Sequence, residues 1–340
     1  MIPYKWTRVH KGGDNIVTRK DVAERANVSV TVVSRVTNNN GYVAADKRKR
    51  VEKVIEELGY SPNLIARGLK TNETKQILFY APELSNPFYV EVYQGMEDYA
   101  EKHGYTIVVS RHYDDDIIYQ RKIDGMILSA ISKKRQAEFL KLRVPVVVTN
   151  YSGETLEIPS VGIDMMEGAR KAVGYLCECN HKRIGFITNI SIHQEQRYLG
   201  YLQGLKEKNI EPNPNWVLLE NSRGTAYDQG YRAAYRLLDQ KPYITAIFVF
   251  NDAMAIGVIA ALSERGIRIP ADLSIIGFDD ILQAKYTCPP LTTIHIPKYE
   301  QGEESARMLI RKIKGKDVRN TTLRTDLIIR GSVKGLSKEV

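Results

Sequence analysis

Residues 21–39 read DVAERANVSVTVVSRVTNN, and this stretch decides how the chain begins. Just before it, Thr18-Arg19-Lys20-Asp21 has the spacing of a capping box and starts a helix. Val22, Ala23 and Ala26 give that helix a short apolar face. Asn27 follows where the chain must turn sharply, and asparagine tolerates the left-handed backbone such a turn needs. Ser29 is a good N-cap for a second helix, in which Val33 and Val36 point inward. Two short helices joined by a tight turn make a helix-turn-helix. A third helix is expected from about Ala45 to Leu58, with Val51, Val54, Ile55 and Leu58 at helical spacing and Gly59 to close it.

The second helix leaves Val30, Thr31, Ser34 and Arg35 facing outward. Short side chains near a helix N-terminus suit base edges in a major groove, where Val30 can meet a thymine methyl. Charge agrees with this. The chain has 340 residues and a net charge of +9. Residues 1–76 hold 15 Lys/Arg against 8 Asp/Glu, and the remaining residues are nearly balanced. The basic excess therefore sits where a polyanion would be met. A solvated basic face and a small three-helix bundle without a ligand remain open on these features alone.

Outward from the headpiece the sequence continues as RKRVEKVIEELGYSPNLIARGLKT (48–71). Together the two stretches resemble the headpiece of lactose-repressor/galactose-repressor (LacI/GalR) family regulators. The matches are Asp21, Val22, Ala23, Ala26, Val28, Ser29, Val33, Ser34, Arg35 and Asn38, then Arg48, Val51, Gly59, Tyr60, Pro62, Asn63, Ala66 and Leu69. The resemblance implies that Val30, Thr31 and Arg35 read bases and that Ser29, Ser34, Asn38 and Tyr42 anchor to phosphates or groove edges. It places Asn63 and Arg67 at the minor groove. Leu69 becomes a wedge pushed into a base step by paired hinge helices, a distortion offset by the contacts that the bend permits. Val32 departs from the pattern's threonine, and Ala44 stands where a serine cap is common.

Beyond Ile77, apolar runs alternate with helical patterns: 77–81, 106–110, 125–130 and 145–150, then 183–188, 246–250 and 273–280. Helices are expected over 89–103, 195–208, 227–239 and 253–265. Buried runs between helices indicate parallel sheets with helices on both faces, and two such series suggest two lobes. The expected fold is a small all-α helix-turn-helix headpiece plus a two-lobed α/β core like a periplasmic binding protein. The expected domains are an extension (1–16), the headpiece (17–60), a hinge helix and linker (61–76) and the core (77–340). Within the core, one lobe takes 77–178 and 298–325, and the other 179–297 and 326–335.

Ligands of open α/β sheets sit at strand C-termini. The candidates there are Ser85-Asn86-Pro87-Phe88-Tyr89, Asp164, Arg197, Asn251-Asp252 and Asp279-Asp280. Carboxylates and arginine beside an aromatic face make a polyol or sugar site. An Asp after a strand also serves as a helix N-cap, so Asp164 and Asp252 stay open between the two roles. The resemblance extends through NPFY, VFNDAMAIG, DLSIIGFDD and PPLTTIHIP. It makes Arg197 and Asp279 the main polar effector contacts, with Asn251 and Phe88 or Tyr89 in support. Family members often stack an aromatic residue near 225; here Gly224-Thr225 stands, and Tyr227 is the nearest substitute.

Other chemistries lack their residues. There is no Gly-rich dinucleotide fingerprint and no Walker A motif, so no cofactor is expected. Cys177-x-Cys179-x-His181 has no evident fourth ligand, so no metal is expected. No nucleophile elbow or zinc-protease motif occurs, and an enzyme is not expected. Three cysteines and an N-terminus without an apolar run point to the cytoplasm, and no run is long enough for a membrane span. The expectation is a homodimeric repressor of a carbohydrate operon. Its partners are pseudo-palindromic double-stranded DNA and a sugar or sugar phosphate effector. A phosphoprotein corepressor, or a sugar-binding module with a vestigial headpiece, are the alternatives.

Overall fold

The computed structural model describes residues 17–37, 40–60, 73–112, 123–129, 131, 133–151, 157–192, 195–240 and 243–337. It divides into two compact units, one ending at Thr74 and the other starting at Lys75. Asn38, Asn63, Arg67, Leu69 and the extension 1–16 lie outside the described residues.

The first unit is three helices: α1 (Arg19–Ala26), α2 (Val30–Thr37) and α3 (Ala45–Leu58). Thr18 and Asp21 form the capping box in both directions. Asn27 closes α1 at φ +50°, and its N–H bonds back into the last turn. Val22, Ala23, Ala26, Val33, Val36, Val51, Val54 and Tyr60 fill one small core. α3 starts at Ala44 with no side-chain cap, so packing of Val51 and Val54 outweighs the missing hydrogen bond. Arg19 Nε donates to the Tyr60 hydroxyl at 3.3 Å and ties the end of the headpiece to its beginning.

The second unit is built on two parallel sheets and a short ribbon. The first sheet contains β1 (Gln76–Tyr80), β2 (Thr106–Ser110), β3 (Gly125–Ser129), β4 (Val146–Tyr151), β5 (Ser160–Ile163) and β11 (Thr321–Leu323), in the order β11-β5-β4-β3-β1-β2. The second contains β6 (Ile184–Thr188), β7 (Val217–Leu219), β8 (Ala246–Val249) and β9 (Ser274–Ile276), in the order β7-β6-β8-β9. β10 (Thr293–His295) and β12 (Asp326–Ile328) pair antiparallel beside it. Strands such as β3, β6 and β8 are buried along their whole length, as both-face coverage by helices requires.

Those helices are α4 (Pro87–Lys102), α5 (Lys133–Leu140), α6 (Met165–Glu178), α7 (Gln196–Glu207), α8 (Ala226–Asp239), α9 (Asp252–Glu264) and α10 (Lys298–Ile313). They pack most closely in pairs: α4 with α10, α6 with α7, and α8 with α9. Each pair meets at glycines. A Cβ on Gly302 would fall on the Val92 carbonyl, and one on Gly95 on the Tyr299 carbonyl. Gly257 and Gly230 do the same for α8 and α9, and Gly200 for α7 against the Met166 carbonyl of α6, while a Cβ on Gly204 would meet the Val173 side chain.

This pairing moves one expected boundary. The first lobe does not run to residue 178. α6 packs on α7 and against β8, β10 and β12, so the chain crosses to the second lobe between Ile163 and Met165. Its apolar face of Met165, Ala169, Ala172, Val173 and Leu176 needs the small residues of α7, which only the second lobe offers. The chain returns between β10 and α10, and crosses again between β11 and β12.

A glycine under a facing backbone cannot take a methyl group without moving a helix. Gly302→Ala is expected to lower the stability of the chain by about 3 kcal/mol in urea unfolding. An unchanged midpoint would contradict backbone contact at that crossing.

Candidate functional site

Helix α2 turns its side chains inward and outward as periodicity predicts. Val33 and Val36 are buried, while Ser29, Val30, Thr31 and Arg35 are exposed and Ser34 is half-buried. The Ser29 hydroxyl accepts from the Val32 N–H at 3.4 Å, the N-cap role. Tyr42 is 88% exposed, an unusual position for so large a ring unless something covers it. The Arg35 stem runs over Gly41, which turns the chain at φ +81°. The result is an exposed face of small side chains beside one forked cation and one exposed aromatic ring.

The second candidate region lies at strand C-termini of both sheets. Arg197 is buried in the first turn of α7. Its guanidinium stacks on Phe250 with 3.4 Å to the ring centroid and stands 5.4 Å from that of Phe278. Nε donates to Glu195 at 3.0 Å and one terminal nitrogen to the Phe250 carbonyl at 3.2 Å. Glu195 also caps α7 by accepting from the Tyr198 N–H at 2.8 Å. Asp279 follows β9 at φ +110° and is buried. Burial pushes its carboxyl up to about 7, opposed by the positive charges of Arg197 and Lys298.

Across from these, Tyr89 lies in the first turn of α4, edge-on to Phe88 at 5.2 Å. Burial raises its hydroxyl to about 12, with Ser129 opposing, Glu83 and Asp279 adding and Arg197 opposing. Tyr89, Arg197 and Asp279 are therefore gathered in one place, with Glu83 among them. Phe88 is nearly fully buried and supports Tyr89 from behind. Thr149 Oγ1 and Asn150 Oδ1 at the end of β4, and Asn189 Oδ1 after β6, are buried without a hydrogen-bond partner among the described residues. Such atoms call for a ligand or water at these strand ends.

Other candidates take structural roles. Asp164 is exposed, and its carboxylate accepts from the Glu167 N–H at 3.1 Å; it caps α6 and does not join the cluster. Asn251 caps α9 through the Met254 N–H at 2.8 Å, at the edge of the Phe250 platform. Asp252 is wholly buried as a strut, accepting from the Thr293 hydroxyl at 2.6 Å and the Ile281 N–H at 3.0 Å. Burial, then the neighbouring Asp279, raises its carboxyl well above the ordinary value. Asp280 pairs with Arg330 at 2.5 Å and His295 at 3.0 Å; burial alone would raise it, but these partners hold it at about 2. Thr225 is the N-cap of α8 in a full capping box, which explains why no aromatic residue stands there. Tyr227 is half-buried, close enough to Glu83 and Asp252 to feel both charges. His181 spends both ring nitrogens on Thr245 and the Lys334 carbonyl, each at 3.0 Å. No cluster of metal-binding side chains exists among the described residues.

Residues 18–63 match the model of the bacterial regulatory proteins of the lacI family, and residues 173–333 match the periplasmic binding protein-like domain. The HTH-type transcriptional repressor CytR of Escherichia coli (strain K12) is 36% identical over 96% of this chain and 99% of its own length. The chain belongs to the LacI family of transcriptional regulators. The Lac repressor dimer bound to operator and the anti-inducer ONPF superposes with a TM-score of 0.80 at 27% identity, covering 94% of this chain and 99% of that one. A complex of the regulator CelR with cellobiose superposes with a TM-score of 0.67 at 28% identity, covering 93% and 99%. The chain is thus a transcriptional repressor-type regulator with a helix-turn-helix headpiece and an effector-binding core. Among the described residues, no helix is long and apolar enough to cross a membrane.

The raised carboxyl of Asp279 has a measurable consequence. Its cost to folding is absent below the ordinary value of 3.8, grows as pH rises, and is complete above about 7. Asp279→Asn removes that cost, so the variant should gain about 3 kcal/mol more over wild type at pH 8 than at pH 5. Equal gains at both pH values in chemical unfolding would contradict the buried charge.

Proposed function

We propose that the regulator represses transcription as a homodimer on a pseudo-palindromic operator, with its affinity set by a carbohydrate-type effector between the two lobes. The observation that carries this reading is the pairing of an exposed α2 face with a cluster of half-buried Tyr89 and buried Arg197 and Asp279 in the same chain. The α2 face offers what major-groove reading needs: Val30 for a thymine methyl, Thr31 for a hydrogen bond, and Arg35 for a forked pair with guanine. Ser29, Ser34, Asn38 and Tyr42 anchor to phosphates or groove edges, and Asn63, Arg67 and Leu69 work in the minor groove. A two-fold protein matches a two-fold operator.

The cluster offers forked hydrogen bonds beside an aromatic face, which suits a polyhydroxy ligand. That a similar regulator binds cellobiose supports a carbohydrate. The ligand acts by binding the two states of the lobes unequally, and it shifts the equilibrium only by that difference.

Selection from random duplexes, followed by anisotropy titration, tests the DNA half. The wild-type chain should select a palindromic site, and Arg35→Ala should bind it roughly 5–150-fold more weakly. No selected site, or equal binding by the variant, would refute base reading by α2. Leu69→Ala should weaken binding to the selected site while leaving binding to unrelated duplex nearly unchanged. Equal loss on both would refute the wedge.

A further inference from the structure

The cleft's charge arrangement carries more than its hydrogen-bonding character. Two features could attract an anion, the Arg197 guanidinium and the N-terminus of α8. Both are already met by the chain's own carboxylates. Glu195 holds Arg197 at 3.0 Å, and both residues are buried. Glu83, in the loop after β1, reaches from the first lobe to the second and accepts from the Ala226 N–H, the first of α8, at 2.9 Å. The Asp228 N–H of the same turn is taken by Thr225. On α8 itself, Arg232 and Arg236 are paired with Glu220 at 3.6 and 2.7 Å. Lys298, behind Asp279, is spent on the Asp279, Asp280 and Ile296 carbonyls and on Glu91 at 3.6 Å. Asp279 itself adds a further carboxylate. Among the described residues around Tyr89, acidic groups outnumber basic ones. The buried polar atoms left without a partner at these strand ends, among the described residues, are Asn150 Oδ1 and Asn189 Oδ1, which accept, and the Thr149 hydroxyl, which can accept as well as donate.

We propose that the cleft is selective for an uncharged ligand rich in hydroxyl or N–H donors, and that Glu83 excludes its phosphorylated counterpart. This rests on the reading of the cleft as the effector site. Glu83 does two things at once. It places a negative charge at the cleft beside Tyr89, and it occupies the helix N-terminus that a phosphate would use. Because its partner lies on the other lobe, it also fastens the two lobes at that point. A phosphate entering here would have to displace Glu83 from Ala226 and stand beside like charges. A neutral polyol has only to donate to the open acceptors.

The test is calorimetry on the full-length chain and on Glu83→Gln. The probes are ribose, glucose, cellobiose and the four ribonucleosides, each beside its monophosphate. The proposal expects at least one neutral member to bind wild type roughly 10-fold or more tightly than its monophosphate. In Glu83→Gln, which keeps an oxygen for the Ala226 N–H, that ratio should shrink at least about threefold. A monophosphate that binds wild type as tightly as its neutral partner would overturn the charge selectivity and leave the effector site standing. An unchanged ratio in Glu83→Gln would overturn the role of Glu83. No heat from any member of either series would overturn the effector reading and this proposal with it.

Discussion

The buried ammonium of Lys298 is the constraint on which the core depends. It sits where the chain passes from β10 back to α10, and it donates to the carbonyls of Asp279, Asp280 and Ile296 at 2.7, 3.1 and 3.2 Å. A buried charge without partners would cost several kcal/mol, so those carbonyls must stay in place. That requirement fixes the left-handed turn at Asp279 and Asp280, where φ is +110° and +53°. The turn then aims Asp279 toward Arg197, and it sends Asp280 to Arg330 and His295. The crossover between lobes and the polar heart of the cleft are thus one construction. Glu91 on α4 completes it from the first lobe at 3.6 Å.

Much of this was legible in the residues. The capping box at Thr18 and the asparagine at 27 spell out the first helix and its turn, and the structure has both. The apolar runs of β1, β3, β6 and β8 stand out because strands covered on both faces need no polar alternation. β7, β10 and β12 did not stand out, being three residues long and, in β7 and β12, partly exposed. The first lobe is expected to run to 178 because nothing in residues 165–178 reports the glycines on α7 that receive their apolar face.

The site divides in the same way. Position at strand ends, where ligand groups collect, singles out Arg197, Tyr89 and Asp279 as candidates, and the structure brings the three together. Asp164 stays open in the sequence because a cap and a ligand contact look alike until the helix after it is seen, and the structure shows the cap. Glu83, Glu195, Phe250 and Phe278 were missed. Glu83, Phe250 and Phe278 take their roles from what they meet across the fold, Ala226 for Glu83 and Arg197 for the two rings, and no spacing records that; Glu195 lies two residues before Arg197 and caps the same helix. The gap at Thr225 is a capping role, which local sequence could have suggested from Asp228 three residues later.

The central claim is that ligand in the cleft and operator at the headpiece act on one equilibrium. Linkage requires each to change the other's affinity by the same factor. The direct measurement is the dissociation constant of the bound effector, taken by calorimetry on the full chain with and without saturating operator duplex. The account predicts that the two constants differ by roughly 5–150-fold, matching the factor by which effector changes operator affinity. Identical effector affinity in the presence and absence of operator would contradict it.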